Sequence, residues 1–193
     1  MNRKRSLVAI AATSIVLLTA CGTSSDSQSS PDASEDTSQA QAFNDDDVMF
    51  AQMMIPHHEQ AIEISDIALD PTIGASSDVK NLANEIKNAQ DPEITTMKNL
   101  LTLWGKSTAM DPNMDHSDMM DGMLTIEELD SLANLRGDEF DVAWIEAMIR
   151  HHEGAVSMAE DLLDSGVSAE LIALAEDIIA TQQLEITKMR ALL

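Results

Sequence analysis

The chain of 193 residues carries a net charge of −23, and so acidic a surface repels nucleic acid and anionic lipid headgroups, which excludes a DNA- or RNA-binding role. Aromatic residues make up 3% of the chain and Tyr is absent, whereas unbranched side chains that lose little rotamer freedom in a helix are plentiful. The length suits one helical domain together with some non-globular sequence.

The first twenty or so residues have the features of a secretion signal. A positive segment, Arg3–Arg5, precedes an apolar stretch from Leu7 to Leu18, which is shorter than the roughly 20 residues of a membrane-spanning helix. The stretch runs into Leu-Thr-Ala-Cys-Gly, which resembles a bacterial lipobox, and Cys21 is the single cysteine. We predict a lipoprotein signal peptide over residues 1–20 and a lipid anchor on Cys21. The alternative is an ordinary secretory signal with a chance cysteine.

The segment that follows, to about Ala42, is composed of Ser, Asp, Gln and Thr and lacks apolar periodicity. Such a segment cannot bury enough apolar surface to offset its ordering entropy. We therefore predict that residues 21–42 form a disordered linker and that the helical domain spans residues 43–193.

The first helix is predicted from about Asp45 to Leu69, with Asn44 as its N-cap and acidic residues in its first turn. Pro56 lies inside it and removes one backbone hydrogen bond, at a cost of about 3 kcal/mol. Either the helix kinks there, which we favour, or two helices meet. A turn and a second helix, from about Asp78 to Trp104 with Gly105 after it, complete a hairpin.

A connection over residues 105–137 follows, in which Thr125 opens a short helix through a capping box and the helix ends near Gly137. Asp138 is predicted to cap the third long helix, which stops at Gly166. Ser168 is predicted to open the fourth. All four long helices show apolar residues at helical spacing.

The two halves of the domain repeat each other. The segment Met-Met-Ile-Pro-His-His-Glu-Gln-Ala-Ile at 53–62 recurs as Ala-Met-Ile-Arg-His-His-Glu-Gly-Ala-Val at 147–156, an offset of 94 residues. In the second helix of each half, Gln-x-x-Glu-Ile-x-x-Met also recurs, at 90–97 and 182–189. Two duplicated hairpins (43–104 and 138–193) joined by one long connection predict an all-α, ferritin-like four-helix bundle with a single crossover.

The repeated motif places imidazole and thioether groups on one helix face. Residues three and four apart are neighbours on a helix, so Met54 lies near His57 and His58, and Met148 lies near the second histidine pair, His151 and His152. Adjacent histidines point about 100° apart. The sequence therefore leaves open which histidine of each pair ligates a metal.

The donor types favour copper over iron. Di-iron bundles use Glu-x-x-His motifs, and this chain has none, because Met or Ile stands three residues before each paired histidine. Thioethers are soft ligands that select Cu(I). A di-metal oxidase remains an alternative, since Glu93 and Glu185 could supply carboxylates. A metal-free structural or interaction domain is a second alternative, with the histidines hydrogen-bonded to nearby Gln and Glu side chains.

The connection is rich in methionine among Asp, Ser and Gly. An exposed loop gains little from thioethers as packing groups, so we predict that it captures Cu(I) and passes it to the bundle. The predicted ligands in this loop are Met110, Met114, His116, Met119, Met120 and Met123.

The motifs Met-Ile-x-His-His-x-x-Ala and Gln-x-x-Glu-Ile-x-x-Met, together with the Met-rich connection, resemble the bacterial domain-of-unknown-function family 305 over roughly 43–193. The resemblance implies a secreted or periplasmic, ferritin-like protein associated with copper resistance. It also implies metal roles for Met54, His57, His58, Met148, His151, His152 and Met158. Ile64 departs from the family pattern, which usually has Met at this position; the second repeat has Met158 at the equivalent position. The first half-site is therefore predicted to have one ligand fewer.

We predict, on these grounds, a copper-binding lipoprotein that is anchored through Cys21 at the outer face of the cell membrane and that buffers or delivers Cu(I), with a metal-transfer partner possible and no catalytic role. The oligomeric state does not follow from the sequence.

Overall fold

The computed structural model describes residues 42–110 and 121–193. These two segments form five helices and contain no strand: α1 (Asp45–Leu69), α2 (Ser77–Leu103), α3 (Ile126–Asn134), α4 (Gly137–Ser165) and α5 (Ala169–Arg190). All five lie in one compact unit that covers residues 39–193. The predicted lipidation site and four predicted loop ligands lie outside the described residues, namely Cys21, Met114, His116, Met119 and Met120.

Side-chain caps fix where most helices begin. The Asn44 side chain accepts from the Asp47 backbone N–H, and the Asp47 carboxylate accepts from the Asn44 N–H, both at 2.8 Å. Thr125 and Glu128 form the predicted capping box at α3, and the Ser168 hydroxyl accepts from Leu171 N–H at the start of α5. The predicted starts of α1, α3 and α5 are therefore confirmed.

The predicted cap of α4 is wrong. The helix begins at Gly137, its N-cap is Arg136, which makes no side-chain cap hydrogen bond, and Asp138 lies in the first turn. Gly137 adopts a left-handed φ of 56°, and its N–H donates to the carbonyl of Ile73 at 3.0 Å. The start of α4 is thus fixed by a glycine that adopts left-handed geometry and is tied to the turn of the first hairpin, and no Asp side chain caps it. The short helix α3 also ends earlier than predicted, at Asn134.

Two of the prolines lie inside uninterrupted helices. Pro56 belongs to α1 and Pro92 to α2. The alternative that two helices meet at Pro56 is therefore wrong. No helix within the described part of the chain is sufficiently long and apolar to cross a lipid bilayer.

The four long helices pack as two antiparallel hairpins, α1 with α2 and α4 with α5, and α1 packs directly on α4. The prediction of an all-α bundle built from two hairpins with one long connection is confirmed. The connection carries α3, which contacts α4.

The bundle has two apolar clusters, one towards each end. The first joins the C-terminal half of α1 and the N-terminal half of α2 to the N-terminal half of α4 and the last turns of α5. The second joins the opposite halves of the same helices, and Phe43 packs against it, stacked on Trp104 at a centroid distance of 4.8 Å. A layer of buried polar side chains separates the two clusters and includes both histidine pairs.

Candidate metal centre

The four paired histidines meet in the polar layer at the middle of the bundle. His57, His58, His151 and His152 are each completely buried. The ring centroids of His57 and His151 lie 3.9 Å apart, at an interplanar angle of 44°, so the two hairpins contribute one imidazole each to a direct contact. The ring of His152 lies 6.3 Å from that of His151. Histidines from the two repeats therefore lie in one layer and touch through His57 and His151.

A carboxylate from the second helix of each hairpin contacts the second histidine of each pair. His58 Nε2 lies 2.8 Å from Glu93 Oε2, and His152 Nε2 lies 2.8 Å from Glu185 Oε2. With each carboxylate as acceptor, both imidazoles donate through Nε2–H. Metal-binding histidines commonly make this contact, which fixes the tautomer and leaves the other nitrogen as a ligand.

His57 is oriented by the connection. Its Nε2 lies 3.3 Å from the backbone carbonyl oxygen of Asp121, which can only accept a hydrogen bond, so the proton resides on Nε2. The Nδ1 atoms of His57, His58 and His152, and both ring nitrogens of His151, lack hydrogen-bond partners among the described residues. Buried polar atoms are usually paired, so unpaired lone pairs on all four rings favour metal ligation over a purely structural network.

Burial keeps the imidazoles of His57, His58 and His151 neutral. Desolvation lowers the pKa of His57 and of His58 to about 3, and neighbouring imidazoles act in the same direction. Desolvation and the nearby His57 likewise hold the pKa of His151 well below its usual value. For Glu93, burial and the Glu185 carboxylate raise the pKa to about 7. Neutral imidazole is the form that binds metal.

Gln90 and Gln182 occupy equivalent positions in the two repeats, and both are buried in the polar layer. The amide oxygen and nitrogen of each lack partners within residues 42–110 and 121–193. In the metal-free alternative these amides would hydrogen-bond to the histidines; no such bond is present among the described residues, whereas Glu93 and Glu185 do contact them. The four unpaired amide atoms add acceptors and donors to the centre that a bound species could use.

The thioethers of the motif lie on opposite sides of the histidines. Met54 and Met148 are completely buried, the former in the cluster that contains Leu101 and the latter in the cluster that contains Phe140. Met97 and Met189 are also buried in these clusters, in agreement with a packing role. The half-buried predicted ligands are Met110, Met123 and Met158.

Carboxylates and imidazoles of the described residues do not by themselves form a conventional metal-binding site. Within the described segments, no three or more His, Cys, Asp and Glu side chains are grouped so as to hold an ion. A hard cation that demands many oxygen ligands is therefore poorly served. The donors that remain are neutral imidazoles and thioethers, which suit a soft ion of low coordination number.

The sequence did not reveal how the connection contacts this centre. The Gln60 amide donates to the Leu124 carbonyl and accepts from the Leu124 N–H, both at 2.8 Å. At the equivalent position of α4, Gly154 lets the Asp121 carbonyl approach so closely that any Cβ would overlap it. The only signal was the pairing of Gln60 with Gly154, one of the four positions at which the two copies of the motif differ.

Comparison with known proteins gives a family and several solved structures. The family model described as "Domain of unknown function (DUF305)" matches residues 47–193. A DUF305 structure from Streptomyces coelicolor is 33% identical, with a TM-score of 0.70 over 77% of this chain and 90% of that one. A DUF305 fragment from Deinococcus radiodurans is 31% identical, with a TM-score of 0.69 over 77% and 95%.

A third similar structure is that of CopM in a Cu(I)-bound form, which is 34% identical with a TM-score of 0.61 over 75% of this chain and 93% of that one. CopM structures in Cu(II)-bound and silver-bound forms also match. No curated protein sequence matches the chain.

Proposed function

The chain belongs to the DUF305 family, and we propose that it is an extracytoplasmic, lipid-anchored protein that binds copper as Cu(I) and buffers or delivers it. The observation that carries this proposal is the layer of four buried imidazoles, each with an unpaired ring nitrogen. The similarity to CopM, whose structures contain Cu(I), Cu(II) or silver, supports copper as the metal.

The proposed ligands come from both repeats. His57 and His151, which are in ring contact, are the central pair, and His58 and His152 are held by carboxylates so that their Nδ1 atoms are available. The thioethers of Met54 and Met148 are the proposed soft donors beside them, whereas Met158 lines the cleft between α1 and α4. Neutral imidazole together with thioether favours Cu(I) over Cu(II), because Cu(I) is the softer ion.

The proposed location depends on the N-terminal sequence. A signal over residues 1–20, a lipid on Cys21 and a linker to residue 42 would place the bundle outside the cytoplasm and near the membrane. The Streptomyces coelicolor relative is described as a candidate secreted protein, which agrees with an extracytoplasmic site. Mass spectrometry of the mature protein would test the anchor, because it would detect a diacylglycerol on Cys21.

The Met-rich connection is proposed to capture copper first. Its outermost described members, Met110 and Met123, are half-buried and flank the undescribed residues. The connection returns to the bundle at Asp121, whose carbonyl contacts His57, so a cation bound by the loop would be delivered next to the histidines. Replacement of the loop methionines by Leu is expected to lower the copper stoichiometry.

The deciding experiment is an anaerobic titration of the reduced, untagged protein against a chromophoric Cu(I) chelator. We expect a dissociation constant well below about 1 μM, which corresponds to more than about 8 kcal/mol of binding free energy. The double variant His57→Gln/His151→Gln should lose that affinity, while a control variant at the exposed Gln183 should keep it. Weaker-than-micromolar binding by the parent protein would contradict physiological sequestration.

One observation favours a di-metal oxidase as the alternative: Glu93 and Glu185 both reach the histidine layer. It requires two hard metals held by carboxylates. Metal analysis after purification without a tag separates the alternatives: paired iron or manganese supports the oxidase, and copper supports the proposal. Protein that takes up no metal would support a structural or interaction domain.

A further inference from the structure

A second group of thioethers lies outside the histidine centre. A cleft of about 200 Å³ opens between α1 and α4, and its lining includes Met49 and Met53 from α1 and Met158 from α4. Asp46 and Asp161 line the same cleft. Met49 and Met158 are half-buried, so part of this sulfur-rich wall is accessible to solvent.

The duplication provides an internal comparison for this cleft. The positions that correspond to its three methionines under the 94-residue offset carry no sulfur; they are Ala143, Ala147 and Ile64. The positions that correspond to Asp46 and Asp161 carry no charge; they are Phe140 and Ile67. The equivalent positions of the two repeats therefore have the same backbone origin and different side-chain chemistry.

The difference in side-chain chemistry correlates with where α3 packs. Leu124 and Leu132 lie against the groove that contains Ala143 and Ala147, where α3 packs on α4. Small and apolar side chains are what a covering helix requires. If the methionines served only to fill gaps, the covered groove would be the place for them. They lie instead in the cleft that α3 does not cover and that the connection borders only at Asp121 among the described residues.

We propose that this cleft is a second metal site, which binds a soft monovalent cation, Cu(I), through the thioethers of Met49, Met53 and Met158. Thioethers select soft ions, and the carboxylates of Asp46 and Asp161 make the cleft attractive to a cation. The identity of the natural cation rests on the proposed function; the site itself rests on the cleft and its three sulfur atoms.

The cleft adjoins the histidine centre. Met53 precedes His57 by four residues, which places it about one helical turn away on the same face of α1. Asp121, whose carbonyl contacts His57, lines the cleft as well. The cleft is thus positioned as an outer site from which a cation reaches the buried imidazoles.

The test uses the full-length protein labelled with [methyl-13C]methionine and titrated with Ag(I), a soft ion that does not change oxidation state. The methyl resonances of Met49, Met53 and Met158, assigned from single Leu variants, are expected to shift together. The triple Leu variant should bind about one equivalent of Ag(I) fewer than the parent protein over the same concentration range. This corresponds to a loss of about tenfold or more in the affinity of the cleft for Ag(I). The matched control is Met97→Leu/Met189→Leu, which alters two core methionines and should retain full stoichiometry.

The two proposals fail separately. If the three resonances stay in place while imidazole resonances respond, the cleft site is overturned and the histidine centre stands. If they shift in the parent and in His57→Gln/His151→Gln while no imidazole resonance responds, the cleft site stands and the histidine centre is overturned. Equal stoichiometry in the triple Leu variant and the control also overturns the cleft site.

Discussion

Gln60 and Gly154 occupy the same position in the two repeats and hold the same connection by opposite means. The Gln60 side chain forms two hydrogen bonds with the backbone of Leu124, whereas the absence of a side chain at Gly154 admits the Asp121 carbonyl to the surface of α4. A segment of four residues is thereby fixed across the histidine layer. The asymmetry of the motif is a consequence of a single connection passing over a nearly symmetric centre.

Gly154→Ala is expected to destabilise the protein. The new Cβ would overlap the Asp121 carbonyl, and overpacking of this kind costs about 1–3 kcal/mol. The gain in helix propensity from Gly to Ala, up to about 1 kcal/mol, offsets part of it. Urea unfolding should show a net loss of about 1–2 kcal/mol. Ser157→Ala, one turn further along the same helix and exposed, is the control and should be neutral or slightly stabilising; equal stability of Gly154→Ala and the parent would contradict the close approach.

Gln60→Ala removes both hydrogen bonds to Leu124 and leaves a buried N–H and a buried carbonyl unpaired. Each unpaired buried group costs about 1–3 kcal/mol, so we expect a loss of about 2–6 kcal/mol, measured by chemical denaturation. Amide hydrogen exchange at Leu124 should accelerate more than exchange in the cores of α4 and α5. Gln183→Ala, which alters an exposed glutamine, is the control. Unchanged exchange at Leu124 would show that the amide does not hold the connection.

Much of the fold was predictable because its determinants are local. Apolar periodicity located the four long helices, and the side-chain caps at Asn44, Thr125 and Ser168 fixed three starts within a residue. The start of α4 was missed because it depends on a tertiary contact. Gly137 is tied to the carbonyl of Ile73, a partner that no local pattern around Asp138 indicates.

The centre was predictable in composition and less so in arrangement. Duplication of His-His indicated that both pairs meet, and the matching Glu93 and Glu185 indicated which carboxylates stand behind them. The sequence could not indicate that His57 would be oriented by a backbone carbonyl, because a backbone group has no sequence signature. Nor did it indicate the role of Met49, which is brought beside Met158 only by the antiparallel packing of α1 and α4.

Acid should destabilise the metal-free protein through the buried histidines. The folded pKa of His57 and of His58, at about 3, lies below the unfolded value of about 6.5, so the unfolded state binds more protons between these values. The contribution of these two histidines to the free energy of unfolding is fully present above about pH 6.5. It falls as the pH is lowered towards 3, by up to about 1.4 kcal/mol per pH unit for each group. The pKa of Glu93, raised to about 7 by burial and by Glu185, acts in the opposite sense between about pH 4.5 and 7.

Urea midpoints measured from pH 7.5 to 4 would record this balance. The histidines outnumber Glu93, so stability should fall overall towards pH 4, and His58→Gln should flatten the dependence. Glu93→Gln should steepen it over the range in which Glu93 titrates, because its opposing contribution is removed. A parent protein whose stability does not change between pH 6.5 and 4 would contradict neutral burial of the imidazoles.

Asp47 couples the two hairpins away from the metal centre. Its buried carboxylate accepts from Asn44 N–H at 2.8 Å and from Val167 N–H and Ser168 N–H at 3.2–3.3 Å, so it joins the start of α1 to the turn before α5. Asp47→Ala leaves these donors without their acceptor, and we expect a loss of about 2–4 kcal/mol in denaturant unfolding. Asp45→Ala, in the same helical turn but exposed, should cost less than about 1 kcal/mol. Since Asp47 lies outside the histidine layer, folded Asp47→Ala protein should bind copper with the affinity of the parent.

In the proposed metal centre, Glu185 positions the ligand His152 and does not itself bind the metal. Its carboxylate accepts from His152 Nε2 and so leaves Nδ1 as the ligating nitrogen. Loss of such a partner typically lowers metal affinity about 10–100-fold. We expect a reduction of that order in the Cu(I) affinity of Glu185→Gln. The neutral amide is a weaker acceptor than the carboxylate, and it also allows the other tautomer of His152. Glu93→Gln should act similarly through His58. Glu153→Gln, which alters the exposed partner of Arg190 next to the histidine pair, is the matched control and should leave the affinity unchanged. If Glu185→Gln binds Cu(I) as tightly as this control while remaining folded, the carboxylate does not orient a ligand, and His152 belongs to the packing of the bundle.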